Sequence, residues 1–212
     1  MPQLIAMIIV VVVATLYMFQ TFGGTGDKIE GIAKKTTVVT EINNIKLGIR
    51  ESLERYIRAT DSTVAGKVNT LEGLAEKEVF DKTINAQLDS DGKTATNTKN
   101  TYKAISYGAD NSLEITLVLP TKAQATSTAR PGLYVDMSQG SLAGVSGFLE
   151  QQIKQDLGSL CAIDTHATSA TYNPLKANGD ISSPATAGTD TDKDGKFVVY
   201  CKDLPSGLID ND

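Results

Sequence analysis

The sequence predicts an α+β protein in which a long N-terminal helix, partly membrane-spanning, packs on a small antiparallel-sheet head. Three observations predict it. An uncharged apolar run opens the chain, an amphipathic helical period takes over from it, and strand-like stretches then alternate with one more helical period. Of 212 residues, 41% are hydrophobic and 21% charged, which is too apolar for a disordered chain and enough for one core. The formal net charge of −5, with no long Lys/Arg run, argues against electrostatic nucleic-acid binding. One His and two Cys exclude a zinc finger or cysteine-cluster site and leave few routes to acid–base or nucleophilic catalysis.

Residues 1–26 carry no charged side chain, and only Thr15, Gln20 and Thr21 interrupt the apolar run 4–22. A helix over that run spans about 28 Å, close to the hydrocarbon thickness of a bilayer. The run is longer than the apolar part of a secretory signal, and Thr21-Phe22-Gly23 is a poor cleavage site. No Lys or Arg precedes it, which is the state expected once a short basic leader has been removed. Gly23, Gly24 and Gly26 then break the helix, each weakening it by roughly 1 kcal/mol.

From Asp27 a second helical pattern runs to about residue 59. Ile29, Ile32, Thr36, Val39, Ile42, Ile45 or Lys46, Ile49, Leu53 and Tyr56 form its apolar stripe, with Glu30, Lys34, Lys35, Glu41, Arg50, Glu51, Glu54 and Arg58 on the other faces. Gly31 and Gly48 lower its propensity, so packing must hold it. The same pattern would also suit an ordinary helix lying on a globular domain.

Residues 60–99 read as a long loop with one helical patch around Leu71, Leu74, Val79 and Phe80. Residues 102–107 and 113–119 read as strands joined by a turn at 108–111, stopped by Pro120. Leu133 to Val135 reads as a short strand. Leu142, Val145, Phe148 or Leu149, Ile153, Leu157 and Leu160 give a helix capped by Ser138 or Ser141. An irregular tract over 165–196 precedes a last strand, Phe197 to Cys201.

Cys161 and Cys201 are the only cysteines, and a membrane stalk puts the head outside the cytoplasm. Pairing them closes a loop of about 40 residues, stabilising by about 4 kcal/mol in the chain-entropy account; the alternative is two buried thiols. Asp190, Asp192 and Asp194 fall in D-x-D-x-D-G, the first half of a calcium loop. The twelfth position is Cys201 where an EF-hand needs Glu, leaving Asp203 or Asp210 to complete another shell. The plain alternative is a solvated acidic turn, and structural calcium is the sole cofactor suggested. His166 reads as a loop histidine. No P-loop, G-x-G-x-x-G, H-E-x-x-H or G-x-S-x-G occurs, and the expectation is no enzymatic activity.

Together these features resemble a type IV pilin, within the type IVb-like branch. The resemblance rests on the apolar helix at the N-terminus, the Gly-rich break at 23–26, the amphipathic continuation over 27–59 and a head whose Cys161 and Cys201 bracket a C-terminal region. The chain departs from the family at Ile5, where most members carry Glu, and glycines stand where a Pro near position 22 is usual.

The resemblance implies two parts: a transmembrane and filament-core helix over 1–26, and an extracellular head over 27–212. It implies a major pilin in a helical surface filament whose core is formed by Leu4, Ile5, Ile8, Ile9, Val11, Val12, Leu16 and Phe19. The partners implied are further copies of the chain, the inner membrane before assembly, a prepilin peptidase and the pilus assembly machinery. The rival readings are a minor pilin or secretion pseudopilin with a structural calcium site, and a monomeric membrane-anchored binding protein.

Overall fold

The computed structural model describes residues 31–52, 70–88, 99–120, 124, 129–174 and 193–204. Residues 31–52 are helical throughout (α1). Then come α2 (Leu71–Ala75), α3 (Lys82–Leu88), β1 (Thr101–Lys103), β2 (Glu114–Val118), β3 (Gly132–Asp136), α4 (Ser146–Leu157), β4 (Cys161–Asp164) and β5 (Lys196–Cys201). The strands form one five-stranded sheet in the order β1-β2-β3-β5-β4, with every neighbouring pair antiparallel. The α+β class with a small antiparallel sheet is thus observed. No helix among the described residues is long and apolar enough to cross a membrane. The filament-core residues named above, the glycines at 23–26 and residues 53–59 lie outside the described residues.

Helix α1 lies on the sheet because Val38, Ile42, Ile45 and Ile49 recur every three or four residues and are nearly or fully buried. Each contributes about 2 kcal/mol at most by removal from water. The expected stripe is correct over Ile42, Ile45 and Ile49 and rotates upstream of them, while Leu53 and Tyr56 lie outside the described residues. One turn back from Ile42 is Val38, which the core takes, while Ile32 is 56% exposed and Thr36 faces outward. The position of Glu41 is a second correction. It was expected on a polar face and is 3% exposed. Its carboxylate accepts from the Tyr102 hydroxyl at 2.9 Å, the Ser106 N–H at 3.1 Å and the Ser106 hydroxyl. A buried charge is tolerable only with such donors around it.

The inner sheet face and the helices share one core, which includes Ile115, Leu133, Val135, Phe197 and Val199 from the strands and Leu149 and Ile153 from α4. Several elements differ from the sequence reading. The patch around Leu71 is two helices, α2 capped by Thr70 through the Gly73 N–H at 3.1 Å. The first strand stops at Lys103, and Ile105–Tyr107 is a 3₁₀ turn. Helix α4 is preceded by another 3₁₀ turn, Gly140–Val145, and is capped by neither serine. Ser138 closes on Asp136 (2.8 Å from its N–H), and the Ser141 N–H donates to the Ser112 hydroxyl at 2.9 Å. Strand β4 was not expected; it is four residues long and rests on its pairing with β5.

The outer sheet face is covered around Tyr134, Val198 and Tyr200 by Ala167 and Tyr172 of the following loop. Tyr172 and Tyr200 meet edge-on with ring centroids 5.5 Å apart. The Asn173 N–H donates to the Tyr200 hydroxyl at 2.8 Å, and the Tyr134 hydroxyl donates to the Thr168 carbonyl at 3.2 Å. Part of the tract read as irregular is therefore tied to the sheet by tyrosines.

Burial pushes the Tyr102, Tyr134 and Tyr200 phenols above the ordinary value of 10.0. A raised folded-state pKa stabilises below the unfolded value and loses that contribution as pH rises through the folded one. Stability is therefore expected to fall as pH passes about 10, with phenolate absorbance appearing together with loss of secondary structure. Ionisation of the buried Tyr102, Tyr134 and Tyr200 well before unfolding would contradict this.

Candidate functional site

Cys161 and Cys201 face each other directly in the β4–β5 register and form a disulfide, with sulfurs 2.10 Å apart. Both residues are buried, and the bond between them sets aside the alternative of two buried free thiols. The bond fastens the edge strand β4 to β5 and closes the tract between them.

Asp190 and Asp192 lie outside the described residues. Asp194 accepts the Lys196 N–H at 2.8 Å, a local turn. Partial burial pushes its carboxyl above the ordinary value, and Asp136 adds to this, while the Lys196 N–H and ammonium oppose it. Asp203 pairs with Lys46 at 2.9 Å. Among the described residues no three metal-ligating side chains come together.

The side chain organising this turn is one that sequence reasoning missed, Glu150 of α4, 2% exposed. Its carboxylate accepts the Lys193 N–H at 3.1 Å and the Gly195 N–H at 2.8 Å. The turn presses so closely on α4 that a Cβ on Gly147 would lie 2.3 Å from the Lys193 carbonyl oxygen. Gly195 sits at φ +82°, a region L side chains rarely adopt. The Glu150 side chain thus serves as an internal acceptor for two backbone donors. The available signal was an acidic residue directly beside the apolar positions Leu149 and Ile153. His166 is half-buried, its N–H donating to Asp164 at 3.1 Å.

The outward surface of α1 has a different chemistry. Its exposed residues from 32 to 47 are Ile32, Ala33, Thr36, Thr40, Asn44 and Leu47, all uncharged. The Thr36 and Thr40 hydroxyls donate back to the Ile32 and Thr36 carbonyls at 3.0 and 2.8 Å. Nearby cations turn to the flanks: Lys35 pairs with Asp156 at 2.6 Å, Lys46 with Asp203, and Lys34 donates to the Ser141 carbonyl at 3.2 Å. What remains is an uncharged ridge along an exposed helix.

The two glycines that lower helix propensity have a packing role. A Cβ on Gly48 would lie 2.0 Å from the Phe80 ring, and one on Gly31 would lie 3.0 Å from the Phe148 ring. Each glycine seats an aromatic side chain on the helix backbone, which periodicity alone did not reveal.

Comparison with known proteins gives no match: no family model, no curated protein and no solved structure is similar to this chain.

Proposed function

We propose that this chain is a pilin-like structural subunit of a helical extracellular filament of the type IV pilus class, without enzymatic activity. The observation that carries this reading is the uncharged ridge of α1 over residues 32–47, which follows the uncharged residues 1–26 after a short charged stretch, Asp27, Lys28 and Glu30. A helix face with no charge and with its hydroxyls spent internally loses little hydration when another helix covers it. The apolar run 4–22 is satisfied by lipid before assembly and by copies of itself afterwards, so transfer from membrane to filament carries a modest net free-energy change. The head, stapled by Cys161–Cys201, is the part that faces solvent. The inner membrane, a prepilin peptidase and an assembly platform are partners on the strength of the resemblance.

The test is to shear surface appendages from cells that express the chain, image them by electron microscopy and identify the subunit by mass spectrometry. Fibres dominated by this chain are expected, and Thr40→Glu is expected to lower fibre yield roughly tenfold or more, because it places an unpaired charge on the packed face. Recovery of the wild-type chain solely as a membrane monomer would overturn the reading.

A further inference from the structure

Cys161 and Cys201 are 2% and 3% exposed, and the face of the sheet on which they are buried decides when their bond can form. Along β5, Phe197, Val199 and Cys201 belong to the core that the sheet shares with the helices, while Val198 and Tyr200 belong to the outer face. Cys161 lies in the same inner core. The cystine is therefore on the helix side of the sheet, in one cluster with Ile45 and Ile49 of α1 and Leu157 of α4. Lys46, next to Ile45, pairs at 2.9 Å with Asp203, two residues past Cys201. This ion pair ties that part of α1 to the end of β5 that carries the cystine.

Thiol–disulfide exchange needs a thiolate and an open approach to a sulfur atom. With the helices docked, neither sulfur offers the approach. Two reduced cysteines in the same place would lack the thiolate as well, because apolar surroundings disfavour the charged form. Yet the cysteines cannot meet without the sheet. They are 40 positions apart in the chain and stand opposite each other through the β4–β5 register.

From these observations we infer that the bond closes after β5 has paired with β4 and before α1 and α4 cover the inner face. Oxidation is then a timed step, and a chain whose helices dock first is trapped as a folded dithiol. The step is an exchange with an external disulfide. The thiolate of one cysteine attacks a sulfur of that disulfide, and the first external thiolate leaves. The thiolate of the other cysteine then attacks the protein sulfur of the mixed disulfide; the Cys161–Cys201 bond forms and the second external thiolate leaves. Two electrons and two protons pass from the two cysteines, and the external disulfide becomes two thiols. This reaction must reach the chain before the head is complete, whether or not the chain goes on to form fibres. Once the helices dock, the same cover protects the finished bond from reduction.

The experiment uses the full chain in detergent micelles, with oxidised glutathione as the external disulfide. Reduced chain unfolded in urea is diluted into the oxidant at once, or is first left to regain its circular dichroism and then given the same dose. Thiols are counted by alkylation and mass spectrometry. Oxidation is expected to be at least roughly tenfold slower in the chain that folded first. A reduced chain that regains its fold only on oxidation would support the same order, and equal rates in the two arms would overturn it. As a second measure, the oxidised chain is exposed to dithiothreitol with and without urea. The native chain is expected to lose the bond at least roughly a hundredfold more slowly than the unfolded one. Ile49→Ala, which leaves both cysteines in place and loosens the cover, is expected to speed native reduction roughly tenfold. Native reduction as fast as in urea, or unaffected by Ile49→Ala, would mean that the sulfurs are reached with the helices in place, and would also overturn this order.

Discussion

Replacing Cys161 and Cys201 together by alanine is expected to lower the free energy of unfolding by about 4 kcal/mol, the closure entropy of a 40-residue separation. The location adds to this loss. Strand β4 has four residues, stands at the sheet edge and pairs with a single neighbour, so the covalent bond substitutes for the second neighbour that an inner strand would have. The tract from residue 165 onward then loses its fixed origin, and the cover over Tyr134, Val198 and Tyr200 loosens with it. Urea unfolding followed by circular dichroism, with and without reductant, measures the effect. Reduced wild type and the double variant should have midpoints close to each other and well below oxidised wild type. A difference below about 1 kcal/mol, far short of the entropic figure, would mean that β4 is held by its packing alone.

The second large effect is expected from Glu150→Leu. The substitution suits the apolar surroundings of α4 and removes the acceptor for the Lys193 and Gly195 N–H groups. A buried donor left unpaired costs about 1–3 kcal/mol; that applies in full to the buried Gly195 N–H and only in part to that of the exposed Lys193, giving an expected loss of roughly 2–4 kcal/mol. Glu150→Gln keeps one acceptor oxygen and is expected to lose less than half as much. Hydrogen exchange at the Lys193 and Gly195 amides separates the two possible routes of destabilisation. Accelerated exchange confined to this turn identifies the lost acceptor, whereas uniform acceleration across α4 and the sheet would point to disturbed packing of α4 instead. Equal stability of Glu150→Leu and wild type would contradict the assigned role.

Much of the fold was legible in the chain. Ile42, Ile45 and Ile49 announced the buried side of α1, Ile115 and Leu117 the inward alternation of β2, and Phe197 to Cys201 the last strand. The two cysteines announced the one cross-link. The errors have specific causes. Ile32 was placed inside because it fits a spacing of three or four residues, yet the register of a helix is decided by the surface it meets, and that surface selected Val38. Tyr102 to Tyr107 looked like one strand because Tyr102, Ile105 and Tyr107 suit a strand, but the Ser106 N–H turns to Glu41 and Ile105–Tyr107 forms a 3₁₀ turn after Lys103. Strand β4 carries too few residues to show a period and exists through β5. Ser138 and Ser141 were credible helix caps, but each hydrogen-bonds elsewhere: the Ser138 hydroxyl with Asp136, the Ser141 hydroxyl and N–H with Ser112.

What the sequence by itself determined was local and covalent: the uncharged opening run, the helical and strand periods, the glycine positions and the cysteine pair. These depend on neighbours within a turn or a strand, where spacing dictates which side chains share a face. Only the tertiary structure decided which polar groups are buried and which apolar ones are left outside. Glu41 meets Ser106 across 65 residues and Glu150 meets Lys193 across 43, and Phe80 and Phe148 find their glycines from separate elements. A carboxylate becomes tolerable inside a protein when distant backbone donors converge on it, and a glycine becomes a seat when a ring arrives from elsewhere. Neither condition is a property of the residues beside it in the chain.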